Sequence, residues 1–172
     1  MSEIQTIKME QLFFDDVKVG SEIPPLTKGP YTVITMAKFA AMQGDFYPSH
    51  YDNKWAMEVD RLPGAIAHGT QITSYLSQLF TDWIGPNGAL KKFASQVRAQ
   101  TFVGDTITMK GRVTKKYIKD SENYLECEVW GEKQDGTMVI QGSGTVTLPA
   151  RLQPQLSRIS FLHPVITSLK RD

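Results

Sequence analysis

The clearest pattern of apolar and polar positions in the chain lies at about residues 69–83. Apolar side chains recur there at the three- and four-residue spacing of one helix face, at Ile72, Tyr75, Leu76, Leu79, Phe80 and Trp83. The opposite face is polar, and Asp82 is its only charge. A solvent-exposed helix usually carries several Lys and Glu residues on that face. The pattern therefore predicts a helix that is covered by other protein on most sides.

After residue 92 the pattern changes to alternation with period two, which is typical of β-strands. Strands are predicted in four stretches, FASQVRAQTFV, TITMKGRVTKKYI, YLECEVWGE and TMVIQGSGTVTL, with turns at GD, KDSEN and QDG. One long helix followed by four antiparallel strands predicts an α+β fold, with the helix packed on a curled sheet. The far side of the helix also needs cover, so we expect a dimer with a continuous sheet.

The region before the long helix has a weaker pattern. It predicts a short strand at about 31–34 and then a helix in MAKFAAMQ, with Thr35 as its N-cap and Gly44 as its end. Asp52 is predicted to cap a second short helix in NKWAMEVD. We interpret residues 1–30 as a lead-in, 31–149 as the helix-and-sheet domain, and 150–172 as a tail that packs across the sheet or a neighbouring subunit.

Composition narrows the class of protein. A chain of 172 residues fits one domain, and 19 basic against 18 acidic residues give no reason to expect nucleic acid or a membrane as partner. Cys127 is the only cysteine, which excludes an intrachain disulfide and a thiolate metal cluster. The N-terminus lacks the apolar run of a signal peptide, and no stretch approaches the roughly 20 apolar residues of a membrane span. We expect a cytoplasmic protein.

The stretch GDFYPSHYD, residues 44–52, carries the first candidate chemistry. Asp45 and His50 are a carboxylate and an imidazole that can share one water molecule, with one group taking a proton and the other delivering one. Pro48 between them restricts the backbone, so both side chains can leave the loop in a fixed relation. The same residues also suit an ordinary turn with a solvated histidine, and the stretch alone does not decide between the two interpretations.

The stretch AHGT, at the start of the long helix, carries the second candidate. The first backbone N–H groups of a helix have no intrahelical partner, so the N–H of Gly69 is a candidate oxyanion donor to a thioester carbonyl. We interpret His68 as a cap of this helix. Ser77 lies two turns further on the polar face and is a candidate substrate contact, although such a serine usually bonds the backbone. His50, Asp52 and His68 lack the paired helical spacing of metal ligands, and no metal is predicted.

Taken together, these motifs resemble the MaoC-like, (R)-specific enoyl-CoA hydratases and dehydratases of the hot-dog superfamily. That family combines a Gly-Asp-x-Asn-Pro-x-His-x-Asp loop, an HG helix start and a later R-x-P-V-x-x-G-D strand. The corresponding stretches here are GDFYPSHYD, AHGT and VRAQTFVGD, in the same order, and FFDDVKVG is similar to the family's lead-in. The resemblance covers roughly residues 10–149.

The resemblance implies a hot-dog fold and an acyl-CoA substrate. It implies that Asp45 and His50 are the catalytic pair and that Gly69 is the oxyanion donor. The implied reaction adds water to, or removes it from, the α,β position of the thioester, with coenzyme A only as the carrier and with no other cofactor. The implied assembly is a homodimer or higher homo-oligomer, or a heteromer with another MaoC-like subunit.

Two loop positions depart from the family motif, because Tyr47 replaces the asparagine and Ser49 replaces a hydrophobic residue. Tyr47 would either reshape the acyl pocket for a bulky chain or mark a subunit that works only beside a partner. Two rival functions therefore stay open. One is a hot-dog acyl-CoA thioesterase, and the other is a non-catalytic or partner-dependent subunit that binds acyl-CoA.

Overall fold

The computed structural model describes residues 10–151, which form five strands and three α-helices. In chain order the elements are β1 (Glu22–Lys28), α1 (Val33–Gln43), α2 (Asn53–Glu58), α3 (Gly69–Ile84), β2 (Ala89–Val97), β3 (Ile107–Lys119), β4 (Glu122–Lys133) and β5 (Met138–Thr147). Short 3₁₀ turns lie at Phe14–Asp16 and Pro48–His50. The predicted tail, residues 152–172, lies outside the described residues.

The strands form a single antiparallel sheet in the order β1-β3-β4-β5-β2. The predicted meander of four strands is confirmed for β3, β4 and β5, with turns at Asp120–Ser121 and at Gly136, all three of which have positive φ. It is wrong for the first predicted strand, β2, which pairs with β5 and not with β3. Strand β2 starts four residues before the predicted Phe93 and ends at Val97. It ends there because the N–H groups of Arg98 and Ala99 both point to the carbonyl of Val139, which interrupts the ladder.

The core lies between α3 and one face of the sheet. The predicted apolar face of α3 is confirmed, since Ile72, Leu76, Leu79 and Phe80 are almost fully buried. Phe80 packs directly on the backbone of β5 at Gly144, where an added Cβ would lie 2.4 Å from the phenyl ring. The strands contribute the alternating residues Met109, Val113, Leu125, Cys127, Val129, Ile140 and Val146. Burial raises the pKa of the Cys127 thiol to about 12.

The polar face of α3 is covered only in part within one chain. Gln71 is buried, Ser77 and Gln78 are half-buried, and Ser74 and Thr81 are exposed. Residues 10–151 of one chain therefore do not enclose the helix on all sides. Cover of this face by a second chain stays a prediction.

The predicted strand at 31–34 is wrong, because Val33 begins α1 and the strand lies earlier, at β1. Thr32 rather than Thr35 is the N-cap of α1. The Thr32 hydroxyl accepts from the N–H of Thr35, and the Thr35 hydroxyl accepts from the N–H of Thr32. This reciprocal pair places the cap of the helix three residues before the predicted one.

The sequence pattern did not predict β1, because it contains Pro24 and Pro25 and proline is uncommon within strands. They are accommodated because β1 is an edge strand, and its pairing register with β3 shifts between Ile23 and Leu26. The predicted lead-in, residues 1–30, thus contributes one strand to the sheet. The three-part division of the chain at residues 30 and 149 stays a prediction.

Candidate active site

The site loop, residues 44–52, joins α1 to α2 and is fixed at both ends as predicted. Gly44 ends α1 in the left-handed conformation, with φ of 76°. Asp52 caps α2, and its carboxylate accepts from the N–H groups of Lys54 and Trp55. Between these ends, Pro48–His50 forms the 3₁₀ turn that carries the imidazole. The loop therefore presents Asp45 and His50 from a short, anchored segment.

The structure brings Asp45 and His50 together. Nε2 of His50 lies 3.9 Å from Oδ2 of Asp45, which is too far for a direct hydrogen bond but leaves both atoms able to contact one small group between them. The side chains are 18% and 43% exposed, so a ligand can reach both. The other carboxylate oxygen, Oδ1, accepts from the backbone N–H of Tyr47 over 3.2 Å.

The contact made by Nδ1 of His50 shows which ring nitrogen carries the hydrogen. Nδ1 lies 2.7 Å from the carbonyl oxygen of Ile66, and a carbonyl can only accept, so Nδ1 carries the hydrogen. The neutral ring therefore has its lone pair on Nε2, the nitrogen nearer to Asp45. This tautomer is the one that can take a proton from a group held between the two side chains.

His68 belongs to the same cluster. It occupies the N-cap position of α3, as interpreted from the sequence, but its side chain makes no capping hydrogen bond. Its ring stacks on that of His50, with centroids 3.5 Å apart and planes at 20°, and its Nε2 lies 3.4 Å from Oδ2 of Asp45. The only signal in the sequence was its position beside Gly69.

His68 is buried without a well-formed hydrogen bond. It is 3% exposed, and neither ring nitrogen has a hydrogen-bond partner among residues 10–151. Burial lowers the pKa of His68 and the neighbouring His50 lowers it further, while Asp45 opposes the shift. The ring is therefore neutral near pH 7, and it adds a polar but uncharged surface beneath His50.

Asp45, His50 and His68 also offer three metal-ligating atoms within 4.8 Å of one another. Asp52, which the sequence analysis grouped with the two histidines when it predicted no metal, caps α2 instead. An imidazole binds a metal ion through a lone pair in its ring plane, and two stacked rings cannot both point such lone pairs at one ion. As it stands, the arrangement suits proton transfer better than metal binding.

Gly69 begins α3 and lines a cavity of about 260 Å³. The cavity wall is mostly apolar, with Ile66, Ala67, Ile72, Val97 and Ala99, and it also includes Thr101, whose buried hydroxyl has no partner among residues 10–151. An added Cβ at Gly69 would lie 3.5 Å from Val97, an ordinary contact. The glycine is therefore not required by packing, and its place beside the cavity leaves its backbone open to a ligand.

Ser77 and Tyr47 are engaged elsewhere. The hydroxyl of Ser77 donates to the carbonyl of Ser74 over 2.8 Å, and no hydrogen bond among residues 10–151 joins it to the cluster. The hydroxyl of Tyr47 donates to Asp60 over 2.9 Å. No motif in the sequence singles out Asp60, which lies just past the end of α2.

Solved structures with the same architecture include two (R)-hydratases. The hydratase PhaJ1 from Pseudomonas aeruginosa has a TM-score of 0.72 at 21% identity, covering 81% of this chain and 87% of that one. The (R)-hydratase from A. caviae involved in PHA biosynthesis has a TM-score of 0.68 at 25% identity, covering 78% and 98%. The sheet curled on α3 is thus the hot-dog fold.

A chain of the ChsH1-ChsH2 complex from Mycobacterium tuberculosis has a TM-score of 0.65 at 21% identity, covering 76% of this chain and 98% of that one. By sequence, residues 14–133 match the family described as MaoC like domain. The chain therefore belongs to the MaoC-like family, and its function is of the hydratase and dehydratase kind. No curated protein matches the chain. Among residues 10–151, no helix is long and apolar enough to cross a membrane.

Proposed function

We propose that this protein is a hydro-lyase that adds water to, or removes it from, the α,β position of an acyl-CoA thioester. The observation that carries the proposal is the pair of His50 Nε2 and Asp45 Oδ2, 3.9 Å apart, with the lone pair of the neutral imidazole on Nε2. Membership in the MaoC-like family and the likeness to two (R)-hydratases support it.

In the hydration direction, a water molecule lies between the two side chains. The pair holds one transferable proton at the start. The group without it takes a proton from this water as the water oxygen bonds to the β-carbon, and the other group delivers its proton to the α-carbon, so the pair again holds one proton at the end. The atoms of one water are thereby added across the double bond, with no change in net oxidation state. Dehydration runs through the same steps in reverse.

Negative charge grows on the thioester oxygen as the α-carbon becomes enolate-like. We assign the backbone N–H of Gly69, at the positive end of the α3 dipole, as the donor that stabilises this oxygen. The apolar cavity beside Gly69 is a place for the first part of an acyl chain. Because these groups handle both the protons and the charge, we propose that coenzyme A enters only as the carrier of the substrate, with no metal ion or organic cofactor.

We further propose that the working unit is a homodimer in the cytoplasm, with a heteromer as the alternative. Strand β2 is an edge of the sheet, and its outer side has no strand partner among residues 10–151. Exposed large apolar side chains occur on α1, in the site loop and around α2, at Ile34, Met42, Phe46, Trp55, Met57 and Val59. Large exposed apolar side chains are typical of a surface that another chain covers where they form one patch. Among the solved structures with a similar fold, that of ChsH1 with ChsH2 is a complex of two different chains.

The test is to mix the purified protein with crotonyl-CoA and then with longer or bulkier enoyl-CoAs. Absorbance of the enoyl-thioester bond and release of free thiol are followed together. Loss of the absorbance with no thiol release supports hydration, whereas thiol release supports the rival thioesterase. If neither the absorbance nor the free thiol changes with any of these substrates, while acyl-CoA still binds, the result favours a partner-dependent subunit.

A further inference from the structure

Two hydroxyl groups of the site loop bind one carboxylate that lies outside the loop. Tyr47 donates to Oδ1 of Asp60 over 2.9 Å, and Ser49 donates to Oδ2 of the same side chain. The two donors lie on either side of Pro48, whose ring restricts the backbone between them. We call these three side chains, Tyr47, Ser49 and Asp60, the Asp60 brace.

Each hydroxyl residue of the brace is joined to one member of the proposed catalytic pair. The backbone N–H of Tyr47 donates to Oδ1 of Asp45 over 3.2 Å. Ser49 directly precedes His50, and its carbonyl accepts from the N–H of Ile66, the residue whose own carbonyl holds Nδ1 of His50. A shift of Tyr47 therefore moves the carboxylate, and a shift of Ser49 moves the imidazole.

Asp60 is itself held by the turn that ends α2. Arg61 follows it in the left-handed conformation, with φ of 59°, and the N–H of Leu62 donates back to the carbonyl of Ala56 over 2.9 Å. A non-glycine residue keeps this conformation only where its surroundings hold it. Because α2 directly follows its cap Asp52, the last residue of the site loop, the brace closes a ring that runs from the loop through the helix and back.

We propose that Asp60 is a positioning residue, which sets the separation of Asp45 and His50 by holding Tyr47 and Ser49. The inference rests on the proposed function, since that assigns the groups being positioned. No hydrogen bond among residues 10–151 joins Asp60 to Asp45 or His50 directly, so its effect passes through the two hydroxyl residues. These are also the two positions at which the loop departs from the family motif.

The first test is Asp60→Asn, which keeps the size of the side chain but leaves only one oxygen to accept. We expect kcat to fall by about 10-fold to 100-fold, the scale of a small misplacement of reacting groups, with KM changed by less than about twofold. The matched control is Asp120→Asn, the same substitution in the exposed turn between β3 and β4, which should change neither constant. An unchanged kcat in Asp60→Asn would overturn the proposal.

The second test asks whether Asp60 acts through its two partners. In a Tyr47→Phe/Ser49→Ala background, Asp60→Asn should have no further effect on kcat, because the contacts it would remove are already gone. If Asp60→Asn reduced kcat by the same factor in this background, Asp60 would act by another route and the brace would be rejected.

A third readout does not need turnover. The chain has three histidines, so the ring signals of His50 can be assigned in an NMR spectrum by comparison with His50→Gln. These signals should shift in Asp60→Asn and in Tyr47→Phe/Ser49→Ala but not in Asp120→Asn. If the wild-type protein hydrates none of the enoyl-CoAs, the proposed function fails, and this readout still decides on the brace: unchanged His50 signals in both brace variants would overturn it.

Discussion

Residues 69–148, which form α3 and the four long strands, and residues 44–68, which carry most of the candidate site, are held together by different kinds of contact. The first region is a regular ladder with a continuous apolar core. The second has two short turns of helix, and its site residues are positioned by single hydrogen bonds, in which Tyr47, Ser49 and His50 donate and Asp45, Asp60 and the carbonyl of Ile66 accept.

The difference has a consequence for mutation. In the first region stability is spread over many buried side chains, so a change there should alter the folding equilibrium and the activity together. In the second region a single bond sets the position of a reacting group, so a change there should alter turnover while the fold persists. Four predictions test this contrast.

The largest expected effect is on turnover, from Asp45→Asn or His50→Ala. Each change removes one of the two groups that exchange protons, and we expect a loss of about 100-fold or more in kcat. The melting temperature should stay close to that of wild type, because neither Asp45 nor His50 belongs to the apolar core. Near-normal rates in both variants would show that the pair has been assigned wrongly.

The next effect is on stability, from Gly144→Ala in β5. The added methyl group would meet the ring of Phe80, so we expect a loss of about 1–3 kcal/mol in the free energy of unfolding. Ser143→Ala, on the neighbouring exposed position, is the control and should be nearly neutral. Denaturant unfolding measures both. A neutral Gly144→Ala would mean that α3 can move away from the sheet without cost.

A smaller effect is on the pH dependence of stability, from His68→Phe. The pKa of His68 is lowered in the folded state, so below its ordinary value near 6.5 the unfolded chain binds a proton that the folded chain does not. Stability should therefore fall as the pH drops through that value. Phenylalanine cannot titrate and suits a ring between His50 and Phe39.

Thermal melts at pH 7.5 and pH 5.5 would test this, with the drop in melting temperature expected to be smaller in His68→Phe than in wild type. His50 and Asp45 face the same ring and are present in both proteins, so the comparison isolates His68. Equal drops in the two proteins would mean that His68 gains its proton without unfolding.

The smallest effect is expected from Ser77→Ala. Because its hydroxyl donates to the carbonyl of Ser74 within α3, we expect kcat and KM to stay within about twofold of wild type. A tenfold rise in KM would instead support the substrate contact that the sequence suggested. Steady-state kinetics on the preferred enoyl-CoA decides between the two.

The contrast between the two regions also explains how far the sequence could be interpreted. Period-two alternation and the helical spacing of Ile72, Leu76, Leu79 and Phe80 predicted the meander and α3, because those signals repeat over many residues. Strand β1 was missed because Pro24 and Pro25 interrupt its pattern, and only its place at the sheet edge makes them acceptable. Asp45 and His50 could be proposed because both lie in one short motif.

The rest of the site depends on residues brought together by folding. His68 follows His50 by 18 positions, and its stacking on that ring has no counterpart in any local pattern. Asp60 lies past the end of α2, and its link to Tyr47 and Ser49 appears only once α2 turns back toward the loop. Single polar contacts of this kind leave no periodic signal in a sequence.

The two edges of the sheet differ in a way that bears on the growth of assemblies. An unpaired edge strand is a template for another chain, and proline removes the N–H groups that such templating needs. The β1 edge carries Pro24 and Pro25, whereas β2, at the other edge, has no proline. Joining two copies through β2 would leave a proline-bearing strand at each outer end. Neither outer edge of the joined sheet would then readily pair with a further chain, so the assembly would stop at two copies and would have little tendency to lengthen into a fibre.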